Sequence, residues 1–285
     1  MKGVIYTTTK ELLLNTPLPL ETKSYKPVEH RQLIDLTLEG IALAGFNIEK
    51  ERYTSAKDGN VANGRFSINT VSDNEMNLQI MWQNSYDKSL KLEFSIGAEV
   101  LVCGNGMVAF RTMDSFRKKH VGDIQTLAPS RIAEYIKNAG DIFQGLQGER
   151  DRMKNIEVTR REAAEYLGRL YIDNGILEAT QLNIIKRELD KPTFDYKAAG
   201  SLWELYNYTT FAIGGIHPQH WMEDHMAAHK FFSEIAALAP GNVQAAADLI
   251  EEAIVMPADA EEDPRIKQLK LWEQNDLDSG NVQNL

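Results

Sequence analysis

The chain has 285 residues, 31 Lys and Arg against 41 Asp and Glu, 43% hydrophobic residues and one cysteine. That length can bury a sizeable core as one large or two small domains, and the composition excludes global disorder, a collagen-like repeat and a coiled-coil rod. The lone cysteine excludes a disulfide framework and a thiolate-cluster metal site, and a net charge of −10 argues against simple non-specific DNA binding, which needs a basic surface.

The N-terminal strip is polar and lacks an apolar run long enough for a signal peptide. No stretch approaches the roughly 18 apolar residues of a membrane helix, so a soluble, cytoplasmic protein is expected. After Pro27, apolar residues recur at helical spacing through Leu33, Ile34, Leu38 and Ile41, which predicts a helix over about 28–44 stopped by Gly45. The register then changes. Arg65–Val71, Met76–Gln83, Leu90–Ile96 and Glu99–Val102 alternate apolar with polar residues, as half-buried strands do, with turns at Gly59, Gly64, Asp73–Asn74 and Tyr86–Lys88. Gly104-Asn105-Gly106 reads as a further hairpin turn.

From Ser130 onward the pattern is helical. A long helix is expected from about Arg131 towards Lys154, with glycines at 140, 145 and 148 as candidate breaks. Thr159-Arg160-Arg161-Glu162 fits a capping box and opens a helix that should end at Asp173-Asn174-Gly175. Thr180–Leu189, Ser201–Ile213, Pro218–Leu238 and Asn242–Val255 continue as helices. The fold class is therefore α+β: an N-terminal helix with an antiparallel β-meander, then an α-helical C-terminal half. In domain terms this gives an α+β domain over 1–125, a helical region packed on it over 126–256, and an acidic tail over 257–285 with seven acids against three bases.

Three constellations carry possible chemistry. The first is basic and aromatic. Arg111 with Phe116-Arg117-Lys118-Lys119-His120 makes a positive segment in an acidic chain, and Tyr86 lies beside the strands. Basic residues interleaved with aromatic faces suit single-stranded nucleic acid, through backbone charge and base stacking; the competing reading is an ordinary surface loop. The second is a histidine group, His217, His220, His225 and His229. His225 and His229 stand at i and i+4, the spacing that aims two imidazoles at one metal ion, and His220 or Glu223 could complete a set for zinc or a similar divalent ion. Met226 stands where a zincin would carry its glutamate, and the alternative is a helix whose histidines cap carbonyls or stack on Trp221. The third is Cys103 beside a tight turn, for which the structural reading is favoured. Trp203, Tyr206, Tyr208 and Phe211 form an aromatic stripe that reads as core.

Two passages resemble a known family. Gln83-Asn84-Ser85-Tyr86-Asp87-Lys88-Ser89, running to Val102-Cys103-Gly104-Asn105-Gly106, is similar to the central motif of the phage- and plasmid-encoded family called domain of unknown function 932. Arg117-Lys118-Lys119-His120 is similar to its following basic segment, and Leu202-Trp203-Glu204-Leu205-Tyr206-Asn207 with His217 is similar to its later helix and histidine. Tyr86 and Gly214-Gly215-Ile216 depart from that pattern. The resemblance implies a mobile-element context, and no cofactor or activity comes with it.

Three functional expectations result. The leading one is a phage or plasmid accessory protein, a homo-oligomer, that binds or anneals single-stranded DNA without being an enzyme. The alternative is an acidic protein that binds a host defence or replication protein. The second alternative is a metal-dependent phosphodiester hydrolase built on His220, His225 and His229.

Overall fold

The computed structural model describes residues 7–69, 73–108, 115–215 and 217–239. Arg111, the helix expected at Asn242–Val255 and the acidic tail 257–285 lie outside the described residues. The class is α+β, with an antiparallel seven-stranded sheet in the N-terminal half and helices in the C-terminal half.

The sheet is a near-continuous meander. Strands β1 (Thr7–Thr8), β2 (Ile48–Ala56), β3 (Val61–Ile68), β4 (Met76–Ser85), β5 (Leu92–Val100) and β6 (Asn105–Val108) lie side by side in that order, and β7 (Ser115–Lys118) also pairs with β5. Period-two alternation assigns the residues to two faces. One face is apolar: Phe66, Ile68, Leu78, Ile80, Trp82, Phe94 and Ile96 are all buried in the main core. That core takes Leu33, Ile34 and Ile41 from α2 (His30–Leu43) and Ile132 and Ile136 from α3 (Ile124–Lys137). It continues through α4 (Ala139–Lys154), α5 (Arg160–Ile172), α6 (Ala179–Asp190), α7 (Leu202–Ile213) and α8 (Pro218–Leu238), so one apolar cluster runs from Leu13 of α1 (Lys10–Asn15) to Ala236.

The other face is polar and is not open to water. Asn63, Ser67, Gln79, Gln83, Glu93, Ser95 and Glu99 point that way and all are buried. The alternation in β4 and β5 predicts half-buried strands, but every residue of both strands is buried. The cause is α8, whose N-terminal half crosses the polar face. Gly106 makes the close approach possible, since a Cβ there would come within 2.9 Å of the Trp221 ring.

Other boundaries differ for identifiable reasons. β2 carries Glu49, Lys50, Glu51 and Arg52, and only Tyr53 and Ala56 of its residues are buried, so its apolar signal is weak. The single strand β5 replaces two expected strands because Gly97 tolerates the crowding of Met107 and Met81 against it. The turn falls at Leu101–Gly104, ending where the expected Gly104-Asn105-Gly106 begins, and Asn105 opens β6, its side-chain amide donating to the Asn207 carbonyl at 3.1 Å. The expected long helix is two helices, broken at Asn138 and not at its glycines. The capping box holds: Thr159 Oγ1 accepts from the Glu162 amide at 3.3 Å, and the Thr159 amide donates to Glu162 Oε2 at 2.8 Å. No helix among the described residues is long and apolar enough to cross a membrane.

Gly64 on β3 faces the apolar core directly over Trp82, and a Cβ there would overlap the indole. Trp82 is fully buried and cannot retreat, so Gly64→Ala should destabilise the fold by about 1–3 kcal/mol through overpacking. Urea denaturation monitored by Trp fluorescence measures it, and an unchanged midpoint would contradict this packing.

Candidate nucleic-acid interface

The turn between β4 and β5, residues 86–91, is built by its own side chains. Asp87 Oδ1 accepts from the Ser89 amide at 3.0 Å and from the Ser89 hydroxyl at 2.5 Å, and Asp87 Oδ2 binds Lys57 Nζ at 2.5 Å. Ser85 Oγ accepts from the Leu90 amide at 2.9 Å, which closes the loop's base. The backbone at Lys88 takes a φ of 65°, a left-handed conformation that throws its side chain back over the Tyr25 ring, 4.8 Å from the centroid.

Beneath the turn lies a buried clamp centred on Asn84. Its Nδ2 donates to the Val28 carbonyl at 2.7 Å and to His30 Nδ1 at 3.1 Å, while its Oδ1 accepts from His120 Nε2 at 2.6 Å. His30 Nε2 donates to the Gly59 carbonyl at 2.9 Å, which fixes the tautomer that leaves Nδ1 free to accept. Tyr86 stacks on the His30 ring at 4.0 Å, and its hydroxyl accepts from the His30 amide at 2.8 Å. Tyr25 Oη donates to the Tyr86 carbonyl at 3.1 Å. Burial lowers His30 to about 4, lowers His120 and raises Tyr86 to about 12, so these groups are neutral scaffolding near pH 7.

On this scaffold sits a cleft of about 320 Å³. Lys88, Lys91 and Lys119 line it together with Tyr25, Ser89 and His120. Three lysines and one aromatic ring lining one cleft, in a chain of net charge −10, have the chemistry to take phosphate oxygens and a stacked ring.

The residues expected from sequence are thus partly brought together. Lys119 and His120 line the cleft, and Tyr86 supports it from below. Phe116 faces the apolar core, and Lys118 is paired with Asp123. Arg117 points to the sheet's other face, 3.6 Å from Glu93 and 3.5 Å from Glu223. Alternation along β7 separates neighbours in sequence onto opposite faces, so 115–120 does not act as one basic strip. Lys88, Lys91 and Tyr25 are cleft residues that sequence reasoning misses. The signal for the two lysines is in the turn, since Lys88 and Lys91 adjoin the Asn84–Asp87 motif, whereas Tyr25 reaches the cleft only through the fold.

The histidines are not gathered as a ligand set. His220 is exposed; His225 Nδ1 donates to the Trp221 carbonyl at 2.8 Å; His229 meets the Val108 carbonyl at 2.8 Å and Glu149 Oε2 at 2.6 Å, using both ring nitrogens. Among the described residues no three His, Cys, Asp or Glu side chains are arranged to hold a metal ion. The i, i+4 spacing instead aims two imidazoles at oxygens of the protein. Burial raises the Cys103 thiol, opposite to what a nucleophile needs.

Burial sets an acid limit to this fold. The unfolded chain protonates its histidines near pH 6.5, whereas the folded chain resists until about 4 at His30 and about 3 at His225. The unfolded state therefore binds more protons below pH 6.5, and unfolding free energy should fall as pH drops from 6.5 towards 5. The slope approaches about 1.4 kcal/mol per pH unit for each histidine. His30→Gln should remove one histidine's share of that slope, and stability that is flat between pH 7 and 5 would contradict the buried neutral state.

No curated protein and no solved structure matches the chain. A family model does, over residues 17–213, which takes in the β4–β5 turn, the Asn84 clamp, the lysine cleft and helices α2 to α7. The chain is a member of the family described as domain of unknown function DUF932.

Proposed function

We propose that the protein binds single-stranded nucleic acid, with the strand's phosphates on Lys88, Lys91 and Lys119 and a base against Tyr25. The observation that carries this reading is the convergence of three lysines and one ring face on a single cleft. Phosphate neutralisation supplies most of the affinity of such proteins, and stacking is tolerant of sequence because every base has a face. The clamp below the cleft adds preorganisation, since Asn84, His30 and Tyr86 hold the turn from beneath. We infer that the role is accessory to replication or recombination of a mobile element, which agrees with the phage- and plasmid-like motif from Gln83 to Ser89. Nothing in this reading requires a metal or a chemical step.

Fluorescence anisotropy of a labelled single-stranded oligonucleotide tests it. The wild type should bind at low salt and weaken steeply as salt rises. Replacing Lys88, Lys91 and Lys119 with Ala together should flatten the plot of log affinity against log salt by about 2 in slope, at about 0.7 for each single-strand phosphate no longer neutralised. No binding at low salt, or an unchanged slope in the triple variant, would sink the proposal and turn attention to a host protein partner.

A further inference from the structure

The polar face of the sheet carries buried hydrogen-bond acceptors that no donor among the described residues reaches. Asn63, Gln83 and Glu93 stand directly opposite one another on β3, β4 and β5, in one row across the sheet that ends at Arg117 on β7. Their exposures are 2%, 1% and 0%. Gln83 Nε2 donates to Glu93 Oε2 at 2.8 Å and Asn63 Nδ2 to the Pro218 carbonyl at 2.9 Å. Among the described residues, Asn63 Oδ1, Gln83 Oε1 and Glu93 Oε1 have no hydrogen-bond partner, and neither do Gln79 Oε1 and His225 Nε2 on the same layer. With Nδ1 donating to the Trp221 carbonyl, His225 Nε2 is an acceptor as well. With Glu93 ionised, all five orphaned atoms are acceptors. Each buried group left so costs about 1–3 kcal/mol.

Two residues along β3 from that row, Arg65 supplies the opposite chemistry. It stacks on the Trp221 ring at 4.5 Å, with Arg52 repelling and Glu99 attracting its charge. A ligand for this layer therefore carries adjacent donors on one edge and acceptors on another, since Arg65 stands two residues, about 7 Å, along β3 from the row. Guanine has that pattern: N1–H and the N2 amine are donors side by side, and O6 with N7 accepts a guanidinium. Thymine offers one donor between two carbonyls, and cytosine and adenine each put a ring acceptor beside the amine, which would face the orphaned oxygens.

The row begins close to the lysine cleft. Lys91 precedes Glu93 by two residues at the entry to β5 and its charge acts on the Glu93 carboxyl, and Lys119 follows Arg117 by two just past the end of β7. The first two turns of α8 cover the row. Their apolar hold there is a small separate cluster of Met81, Val108, Trp221 and Met222 with Met226 at its edge, whereas Ala228, Phe231, Phe232 and Ala236 anchor the rest of α8 in the main core. The weakly held half is the part that can lift.

We propose that the Asn63–Gln83–Glu93 row and Arg65 form a guanine-recognition site, covered in the free chain by the first turns of α8 and filled by a base of the strand held at the lysine cleft. This rests on the strand-binding reading and adds a base preference to it. The donor edge of guanine satisfies the three orphaned oxygens, and its acceptor edge meets Arg65.

The test compares three labelled oligonucleotides by anisotropy: thymine only, thymine alternating with guanine, and the same with inosine, which lacks the N2 amine. The guanine strand should bind about tenfold tighter than the inosine strand. Glu93→Gln and Gln83→Met should each bring that ratio towards one. Equal affinity of the wild type for all three strands would overturn the guanine site while leaving the strand-binding reading intact; binding to none would overturn both. Guanosine monophosphate that competes at the strand's own concentration identifies a free nucleotide as the source of the base, and failure to compete there identifies the strand.

Discussion

A single buried carboxamide holds one corner of this fold together. Asn84 has both ends occupied: its amide ties Val28 and His30, and its oxygen takes His120. Three segments far apart in sequence, namely the entry to α2, the end of β4 and the stretch after β7, are thereby fixed at one corner of the sheet. The Asn84 side chain is fully buried, so each of these bonds forms where losing a partner costs most. The turn carrying Lys88 and Lys91 can project from this corner because its footing is rigid. Tyr86 and Tyr25 continue the clamp outward, one by stacking on His30 and the other by hydrogen bonding to the turn's backbone.

The second constraint is that the sheet is covered on both sides by different chemistry. The apolar side is packed as a core, with Phe66, Trp82 and Phe94 against α2 and α3. The polar side holds ion pairs and amides under α8, including Arg52 with Glu99 at 2.7 Å. Two-sided burial explains why β4 and β5 carry carboxamides and carboxylates at alternate positions without exposing them. It also explains the fate of His225 and His229. A helix laid on a polar layer needs polar groups on its underside, and His229 links α8 to both β6 and α4 through Val108 and Glu149.

Much of this architecture is legible in the sequence, and the reasons for the exceptions are physical. Alternation in Met76–Gln83 announces a strand, and the Thr159 capping box announces the start of α5, because both signals are local. The family motif at Asn84–Asp87 is also legible, but its meaning is not: reading Asn84 as a clamp requires knowing that residues 28, 30 and 120 meet there. The basic segment at 115–120 misleads for the same reason. Side chains adjacent in sequence on a strand face opposite ways, so Phe116 enters the core, Arg117 joins the polar layer and Lys119 reaches the cleft. The i, i+4 histidine pair does share one helix, yet spacing alone cannot tell a metal from the carbonyl of Val108. β2 escapes notice because a strand with charged residues on its outer face carries little hydrophobic signal.

The energetic asymmetry between the two faces bears on function. The apolar face packs into one core that runs from Leu13 to Ala236. The polar layer carries the cost of orphaned acceptors. Apolar side chains at Asn63, Gln83 and Glu93 would seat α8 without orphaned acceptors and would avoid burying a carboxylate whose protonated form is favoured by its surroundings. Burial is the main cause of that shift, and Arg117 opposes it at 3.6 Å, too far for a hydrogen bond that would satisfy Glu93. A fold optimised for stability alone has no reason to keep such a row, whereas a fold that must open there has one: the orphaned acceptors weaken the seat of the first turns of α8 and reward whatever donor-bearing group replaces them. Unpartnered buried polarity, placed beside a cluster of lysines and beneath the least anchored half of a helix, is therefore a physical argument for a ligand.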